Sequence, residues 1–183
     1  DGFNKLLLRH PQTGETVLDQ YQRLFADLPM TIVVGYRAVA VMQRYPELDY
    51  VYNADWRVSS NSYSLALALD DRAAYVLSSD FFLDAAVIEA LESGPTNAVL
   101  AMKRENRTGS AIHLIVDGER CIQSFYKGAL RSSDHPEAPS IFKICHPDVL
   151  RKWKHQCMSN RSLFAMENLP LSGHGDTAVY AVD

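Results

Sequence analysis

A carboxylate and a lysine are the residues of this chain best placed to do chemistry. Asp80 closes the predicted strand Tyr75–Asp80, and ligands of open parallel sheets collect beyond the carboxyl ends of the strands. A carboxylate at such an edge suits a hard cation such as Mg²⁺, which takes one or two carboxylates together with phosphate oxygens. Asp80 could equally cap the helix predicted after it, so the sequence leaves both interpretations open.

Lys5 precedes the apolar run Leu6–Leu8. A lysine in this position can reach phosphate groups as a point charge, although most lone lysines are simply solvated. Asn61 and Ser64 lie at the start of a predicted helix, where such side chains commonly satisfy backbone amides. The same helix start could instead hold a polar group of a ligand.

Three further features bring polar or basic groups to predicted strand ends and loops. Gly35 and Tyr36 follow a β-branched run, and Lys127 follows the segment Gln123–Tyr126. A basic cluster in a loop is usually solvated but can contact a phosphorylated ligand. The cluster in this chain consists of Lys103, Arg104 and Arg107.

The elements that must position these residues alternate between helix and strand in the first half of the chain. Thr16 is a suitable N-cap for the first, amphipathic helix, and Gly94-Pro95 ends the last helix of this half. The predicted helices cover 14–28, 37–45, 61–69 and 83–93, and the predicted strands cover 30–34, 49–53 and 75–80. This alternation favours a parallel sheet with helical crossovers.

Strands dominate the second half. They are predicted over 97–102, 111–116, 120–125, 140–145 and 177–182, with a turn at Asp117-Gly118. A helix is predicted from Pro147 to Gln156, and 162–169 is also predicted to be helical. Residues 1–183 are therefore predicted to form one α/β domain, with a Rossmann-like, mixed but mostly parallel sheet flanked by helices.

Composition limits the possible functions. The chain has 183 residues, of which 47% are hydrophobic, so it can bury a core of domain size. A net charge of −4 argues against nucleic-acid binding, and no apolar run has the length of a membrane span. Cys121, Cys145 and Cys157 form no C-x-x-C pair, which predicts reduced thiols in a cytoplasmic protein.

Four segments form an ordered set: 33–37 (VVGYR), 53–56 (NADW), 61–65 (NSYSL) and 76–80 (VLSSD). In order and spacing they resemble the phosphocholine cytidylyltransferase-like branch of the sugar-nucleotidyltransferase superfamily. Members of that branch have a strand ending in Gly-Tyr, an Asn-containing segment ending in Ser-Leu, and a strand ending in a metal-binding Asp. Residues 4–7 (NKLL) are also similar to the lysine segment that follows the family's glycine-rich nucleotide loop.

The resemblance implies a nucleotide-diphospho-sugar transferase-like fold and a nucleotidyltransferase activity. Such an enzyme transfers a nucleoside monophosphate, with CMP from CTP preferred, to a small phosphorylated acceptor such as phosphocholine, a phosphonate or a sugar phosphate. Lys5 would neutralise the triphosphate, and Asp80 would bind Mg²⁺. The residues that would bind nucleotide or acceptor are Gly35, Tyr36, Asn61, Ser64 and Lys127.

The chain departs from the family pattern at both ends. No glycine-rich loop precedes Lys5, and the sequence stops at Asp183 before the family's second metal carboxylate. We therefore expect a domain that is truncated at both ends and could be inactive by itself. Two other classes remain open. A nucleotide-sugar glycosyltransferase would usually show Asp-x-Asp where this chain has Ser78-Ser79-Asp80, and a non-catalytic nucleotide-binding module would keep the fold without turnover.

Overall fold

The computed structural model describes residues 3–102, 111–171 and 173–183 of the chain. The α-helices within these ranges are α1 (Val17–Leu24), α2 (Ala38–Arg44), α3 (Asn61–Ala68), α4 (Ala85–Ser93) and α5 (Pro147–Ser159). The strands are β1 (Thr31–Val34), β2 (Asp49–Tyr52), β3 (Ala74–Leu77), β4 (Asn97–Leu100), β5 (Ile112–Val116), β6 (Ile122–Lys127), β7 (Ile141–Ile144) and β8 (Tyr180–Val182). Short 3₁₀ turns cover Lys5–Leu7, Met166–Asn168 and Gly175–Thr177.

The basic cluster singled out in the sequence, Lys103, Arg104 and Arg107, lies outside the described residues. None of the described helices combines the length and the apolar character that a membrane crossing needs.

The strands form three hydrogen-bonded groups. Strands β1 and β2 pair in parallel, and β5 and β6 form an antiparallel hairpin. The third group has the order β3-β7-β4-β8. Because β7 is antiparallel to both β3 and β4, while β8 is parallel to β4, three of these four strands point the same way. The prediction of a mixed, mostly parallel sheet with flanking helices is confirmed.

Helix α1 begins as the sequence predicts. The Asp19 amide donates to the Thr16 hydroxyl (3.0 Å), and the Thr16 amide donates to the Asp19 carboxylate (2.8 Å), which forms a capping box. Beyond this cap, Leu18 packs with residues of β1, and Tyr21 packs in a cluster that includes residues of β3. One helix therefore supports two separate groups of strands.

The largest hydrophobic cluster surrounds α5. Trp153 is fully buried, its ring packs edge-on against Phe142 of β7 (4.9 Å between ring centres), and its Nε1 donates to the Ala165 carbonyl (2.8 Å). All four residues of β4 and all four of β7 are buried. These two strands and α5 form the interior of the domain.

A buried lysine ends helix α4. The Lys143 ammonium donates to the carbonyls of Leu91 (2.6 Å), Glu92 (3.3 Å) and Gly94 (3.2 Å). These carbonyls belong to the last turn of α4 and the residue after it, where a helix lacks internal donors and favours a positive charge. Strand β7 therefore supplies the C-terminal cap of a helix more than fifty positions away in the sequence.

The structure corrects several predicted elements: the strand predicted over 75–80 ends at Leu77, and the one predicted over 177–182 begins only at Tyr180. Residues 162–169 were predicted to be helical but form only the short turn at Met166–Asn168. The Ala165 amide, which a helix over 162–169 would use, donates instead to the Asn61 side chain (2.9 Å), and the Phe164 amide donates to the Glu167 side chain (2.8 Å). Strand β6 begins two residues later than predicted, because the Asp117 carboxylate accepts from the Cys121 amide and prolongs the turn.

Candidate active site

Asp80 lies on a turn just beyond β3 rather than at the strand end itself, because β3 stops at Leu77. Its side chain is 45% exposed and points to a partner charge: Lys5 Nζ lies 2.6 Å from Asp80 Oδ1. Ser78 Oγ lies 3.4 Å from the other oxygen, Oδ2, and donates to it. Asp80 does not cap the following helix, since the Asp84 carboxylate accepts from the Ala86 amide at the start of α4.

Lys5 is held in place by its neighbour Asn4. The Asn4 side-chain oxygen accepts from the Leu6 amide (3.1 Å) and caps the first 3₁₀ turn. The Asn4 side-chain nitrogen donates to the Tyr36 carbonyl (2.8 Å), two residues beyond the end of β1. Residues 4 and 5 thus bridge the segment after β1 and the turn after β3, and they bring Lys5, Asp80 and Tyr36 into one neighbourhood.

Helix α1 supports the turn that carries Asp80. The Tyr21 hydroxyl lies 2.7 Å from the Ser78 carbonyl and 3.0 Å from the Phe81 carbonyl, and its single hydrogen is shared between them. The Gln20 side chain accepts from the Leu83 amide (2.7 Å). Burial raises the pKa of Tyr21 well above its ordinary value, and the nearby negative charge of Asp80 raises it further. Tyr21 therefore stays protonated, so its hydroxyl remains a hydrogen-bond donor to the turn that carries Asp80.

Gly35 is required by close packing. A Cβ atom at this position would lie 2.5 Å from the Cβ of Trp56, and the Trp56 ring also packs against the ring of Tyr36 (5.2 Å between centres). The adjoining cleft has a volume of about 580 Å³ and is lined by Gly35, Arg37, Ala38, Val39, Met42, Tyr52, Trp56 and Arg57. Gly35 thus borders this cleft, and the next residue, Tyr36, is bonded through its carbonyl to Asn4, the neighbour of Lys5.

Asn61 and Ser64 fix the start of α3. Asn61 Oδ1 accepts from the Ala165 amide (2.9 Å), and Ser64 Oγ accepts from the side chain of the buried Asn53 (2.9 Å). Among the described residues, no hydrogen bond joins Asn61 or Ser64 directly to Lys5 or Asp80. Their predicted contact with nucleotide stays a prediction, and their structural role is to anchor α3.

Lys127 ends β6, and its ammonium lies 3.9 Å from the centre of the Phe164 ring. Phe164 precedes Ala165, whose amide is bound by Asn61. The segment 164–165 therefore links Lys127 to the start of α3. The predicted residues fall into two groups: one around Lys5, Asp80, Gly35 and Tyr36, and one around Asn61, Ser64 and Lys127.

The chain supplies few ligands for a metal ion here. The described residues contain no group of three or more His, Cys, Asp or Glu side chains that could hold one. The carboxylate of Asp183 pairs instead with Arg120. One exposed carboxylate beside a hydroxyl fits Mg²⁺ that retains waters and phosphate ligands, since Mg²⁺ is seldom held by an all-protein cage.

Several residues of this neighbourhood were missed by sequence reasoning. Tyr21 lies on the apolar face of α1, where its hydroxyl gives no sign of a role beyond packing, although a buried tyrosine hydroxyl usually needs a partner. Asn4 was noted beside Lys5 without a role of its own, although an Asn before a short turn is a common cap. Gln20 gave no signal in the sequence, because its contact with Leu83 spans sixty-three positions.

Comparison with known proteins shows the fold. The chain matches no protein-family model, and comparison with curated proteins finds no match. Among solved structures, it is similar to CTP:phosphocholine cytidylyltransferase (LicC) from Streptococcus pneumoniae, with a TM-score of 0.71, 15% identity, and coverage of 97% of this chain and 78% of that one.

Two other solved structures are similar to this chain in fold. The inositol-1-phosphate CTP transferase from T. maritima has a TM-score of 0.68 at 14% identity, with coverage of 98% of this chain and 76% of that one. A CMP:2-keto-3-deoxy-manno-octonic acid synthetase complexed with CTP has a TM-score of 0.64 at 13% identity, with coverage of 97% and 81%. The nucleotide-diphospho-sugar transferase-like fold predicted from the sequence is therefore confirmed.

Proposed function

We propose that the protein is a Mg²⁺-dependent nucleotidyltransferase. It transfers a nucleoside monophosphate, with CMP from CTP favoured, to a small phosphorylated acceptor such as phosphocholine, a phosphonate or a sugar phosphate, and it releases pyrophosphate. The observation that carries the proposal is the Lys5–Asp80 pair beyond β3, in a fold shared with two proteins named as CTP transferases. The free thiols of all three cysteines support a cytoplasmic location.

The reaction exchanges one phosphorus–oxygen bond for another. An oxygen of the acceptor phosphate forms a bond to the α-phosphorus, and the bond from that phosphorus to the oxygen bridging to the β-phosphate breaks. Pyrophosphate leaves with the electron pair. Both reactants are anionic, so the chemistry needs charge neutralisation and alignment more than a protein base.

Each residue has a role that its surroundings allow. When bound, Mg²⁺ would draw charge from the phosphate oxygens, and Asp80 is the residue that would hold it. Lys5 would neutralise the triphosphate and the departing pyrophosphate. Lys127, an exposed residue at the end of β6, would bind the acceptor phosphate, and the α3 start with Asn61 and Ser64 would border the nucleotide.

The test is pyrophosphate release from four nucleoside triphosphates offered with phosphorylated acceptors. We expect Asp80→Asn to lower turnover by about a thousandfold, because a lost metal ligand removes several kcal/mol of transition-state stabilisation. Asp84→Asn is the matched control: it makes the same charge change four positions away, and Asn remains a good cap for α4.

The outcome separates the competing functions. Free nucleoside diphosphate in place of pyrophosphate would indicate a glycosyltransferase. Nucleotide binding that is unaffected by Asp80→Asn, with no product from any pair of substrates, would indicate a non-catalytic module and end the proposal.

A further inference from the structure

The carboxylate proposed to bind metal already pairs with a positively charged side chain. Lys5 Nζ lies 2.6 Å from Asp80 Oδ1, and Ser78 donates to Oδ2. Both charged side chains are well exposed, at 63% and 45%, and exposed ion pairs of this kind contribute little to stability. The pair is therefore weak enough to be opened by a ligand that offers each charge a new partner.

The Lys5 backbone is held in place when the pair opens, so its ammonium stays within the reach of one side chain. Its backbone lies in the turn capped by Asn4, and Asn4 is tied in turn to the Tyr36 carbonyl. A dication on Asp80 would then lie close to the Lys5 ammonium, and like charges at short range repel. The proposed metal site thus has a tethered positive charge within reach of Asp80.

The sum of charges decides which form of the metal can enter. Asp80 and Lys5 together are neutral, and the described residues add no cluster of further acidic ligands. A free dication would displace the ammonium and leave it without a partner. A metal–triphosphate complex carries net negative charge, so its phosphate oxygens can receive the ammonium while the metal takes the carboxylate.

We propose that Lys5 acts as a stand-in for the metal on Asp80, so that the site takes up the cation only as its complex with the nucleotide triphosphate. This inference rests on the proposed function. It assigns Lys5 two opposite effects: the lysine opposes binding of the free cation and favours binding of the complex. A residue with a purely structural role would shift both affinities in the same direction.

The test measures Mn²⁺ binding by the paramagnetic signal of the free ion, first with Mn²⁺ alone and then with Mn²⁺–CTP. Lys5→Met keeps the aliphatic stem and removes the charge. We expect this variant to bind free Mn²⁺ about tenfold more tightly than the parent protein and Mn²⁺–CTP about tenfold more weakly, as expected for one charge at short range near a protein surface. Lys152→Met, on the exposed side of α5, is the control and should change neither affinity.

Asp80→Asn distinguishes a failure of the proposed function from a failure of the stand-in role of Lys5. If Asp80→Asn leaves both affinities unchanged, Asp80 is no metal ligand and the proposed function fails. If Asp80→Asn abolishes both while Lys5→Met leaves free-ion binding unchanged or weaker, the proposed function stands and the stand-in role of Lys5 is wrong. Unfolding temperatures of all four proteins establish that each variant is folded.

Discussion

Strands β3 and β4 belong to the same sheet and both end in Val-Leu, yet their surroundings differ. Every residue of β4 is buried, whereas every residue of β3 is only half-buried. Strand β4 has a hydrogen-bonded neighbour on each side, and β3 lies at the end of the order β3-β7-β4-β8. Position in the sheet, rather than strand composition, therefore decides burial.

The difference separates stability from chemistry. The interior strand β4 packs in the clusters that hold the domain together. The edge strand β3 leads into the turn that carries Asp80, and that turn is held by side chains of α1 and by Lys5. Substitutions in the two strands should consequently affect different measurements.

A matched pair of valines gives the largest expected difference in stability. Val99 of β4 and Val76 of β3 are both register partners of Phe142. We expect Val99→Ala to lower the free energy of unfolding by about 2 kcal/mol, since it removes fully buried methyl groups and leaves a cavity. Val76→Ala, at a half-buried site, should cost less than about 1 kcal/mol. Urea unfolding measures both, and equal losses would contradict the assignment of β3 to an edge.

A pair of tyrosines tests whether support of the Asp80 turn matters for metal binding. Tyr21→Phe and Tyr126→Phe each remove a hydroxyl that bonds two partners, so each should cost about 1 kcal/mol of stability. Only Tyr21→Phe should also weaken Mn²⁺–CTP binding, by about tenfold, because residues that orient a metal ligand have effects of this size. Loss of affinity in both variants would mean that general destabilisation, not the turn, is responsible.

The smallest effect concerns the acid stability of α1. Burial pushes the pKa of Asp19 up, but hydrogen bonds from Thr16 and Tyr45 and the charge of Arg44 outweigh burial, so the pKa lies below its ordinary value. The stabilisation is therefore fully present above the ordinary pKa and is lost as the pH falls through the lowered one. Asp19→Asn should remove about 0.5 kcal/mol at neutral pH and flatten the loss of stability below pH ~4. An unchanged pH profile would exclude Asp19 as its source.

Local signals in the sequence predicted much of this architecture. Thr16 as an N-cap predicted the start of α1, and the β-branched run before Gly35 predicted β1. These features depend on neighbours within one or two turns of chain. Strand order is different, because β3 and β4 have nearly the same composition and both pair with β7, and only the second neighbour of β4, strand β8, shows that β3 is the edge.

The candidate site was predicted only in part, for the same reason. Lys5 and Asp80 were each identified by type and position, but the sequence could not show that they form a pair across seventy-five positions. Nor could it show that Asp84 rather than Asp80 caps α4, since both are acidic residues before a helix. Contacts of this range depend on how α1 packs, which local periodicity does not encode.

The buried ammonium of Lys143 gives the molecule an internal reference for chemical labelling. All three of its hydrogens are directed at carbonyls of α4 and the residue after it, so an acylating reagent can reach it only when the helix detaches from the sheet. Lys5, at the surface, reacts without any such opening. A proteolytic digest of the labelled protein reports the modification of both amines. The ratio of the two would therefore separate ligand occupancy of the site from unfolding of the domain.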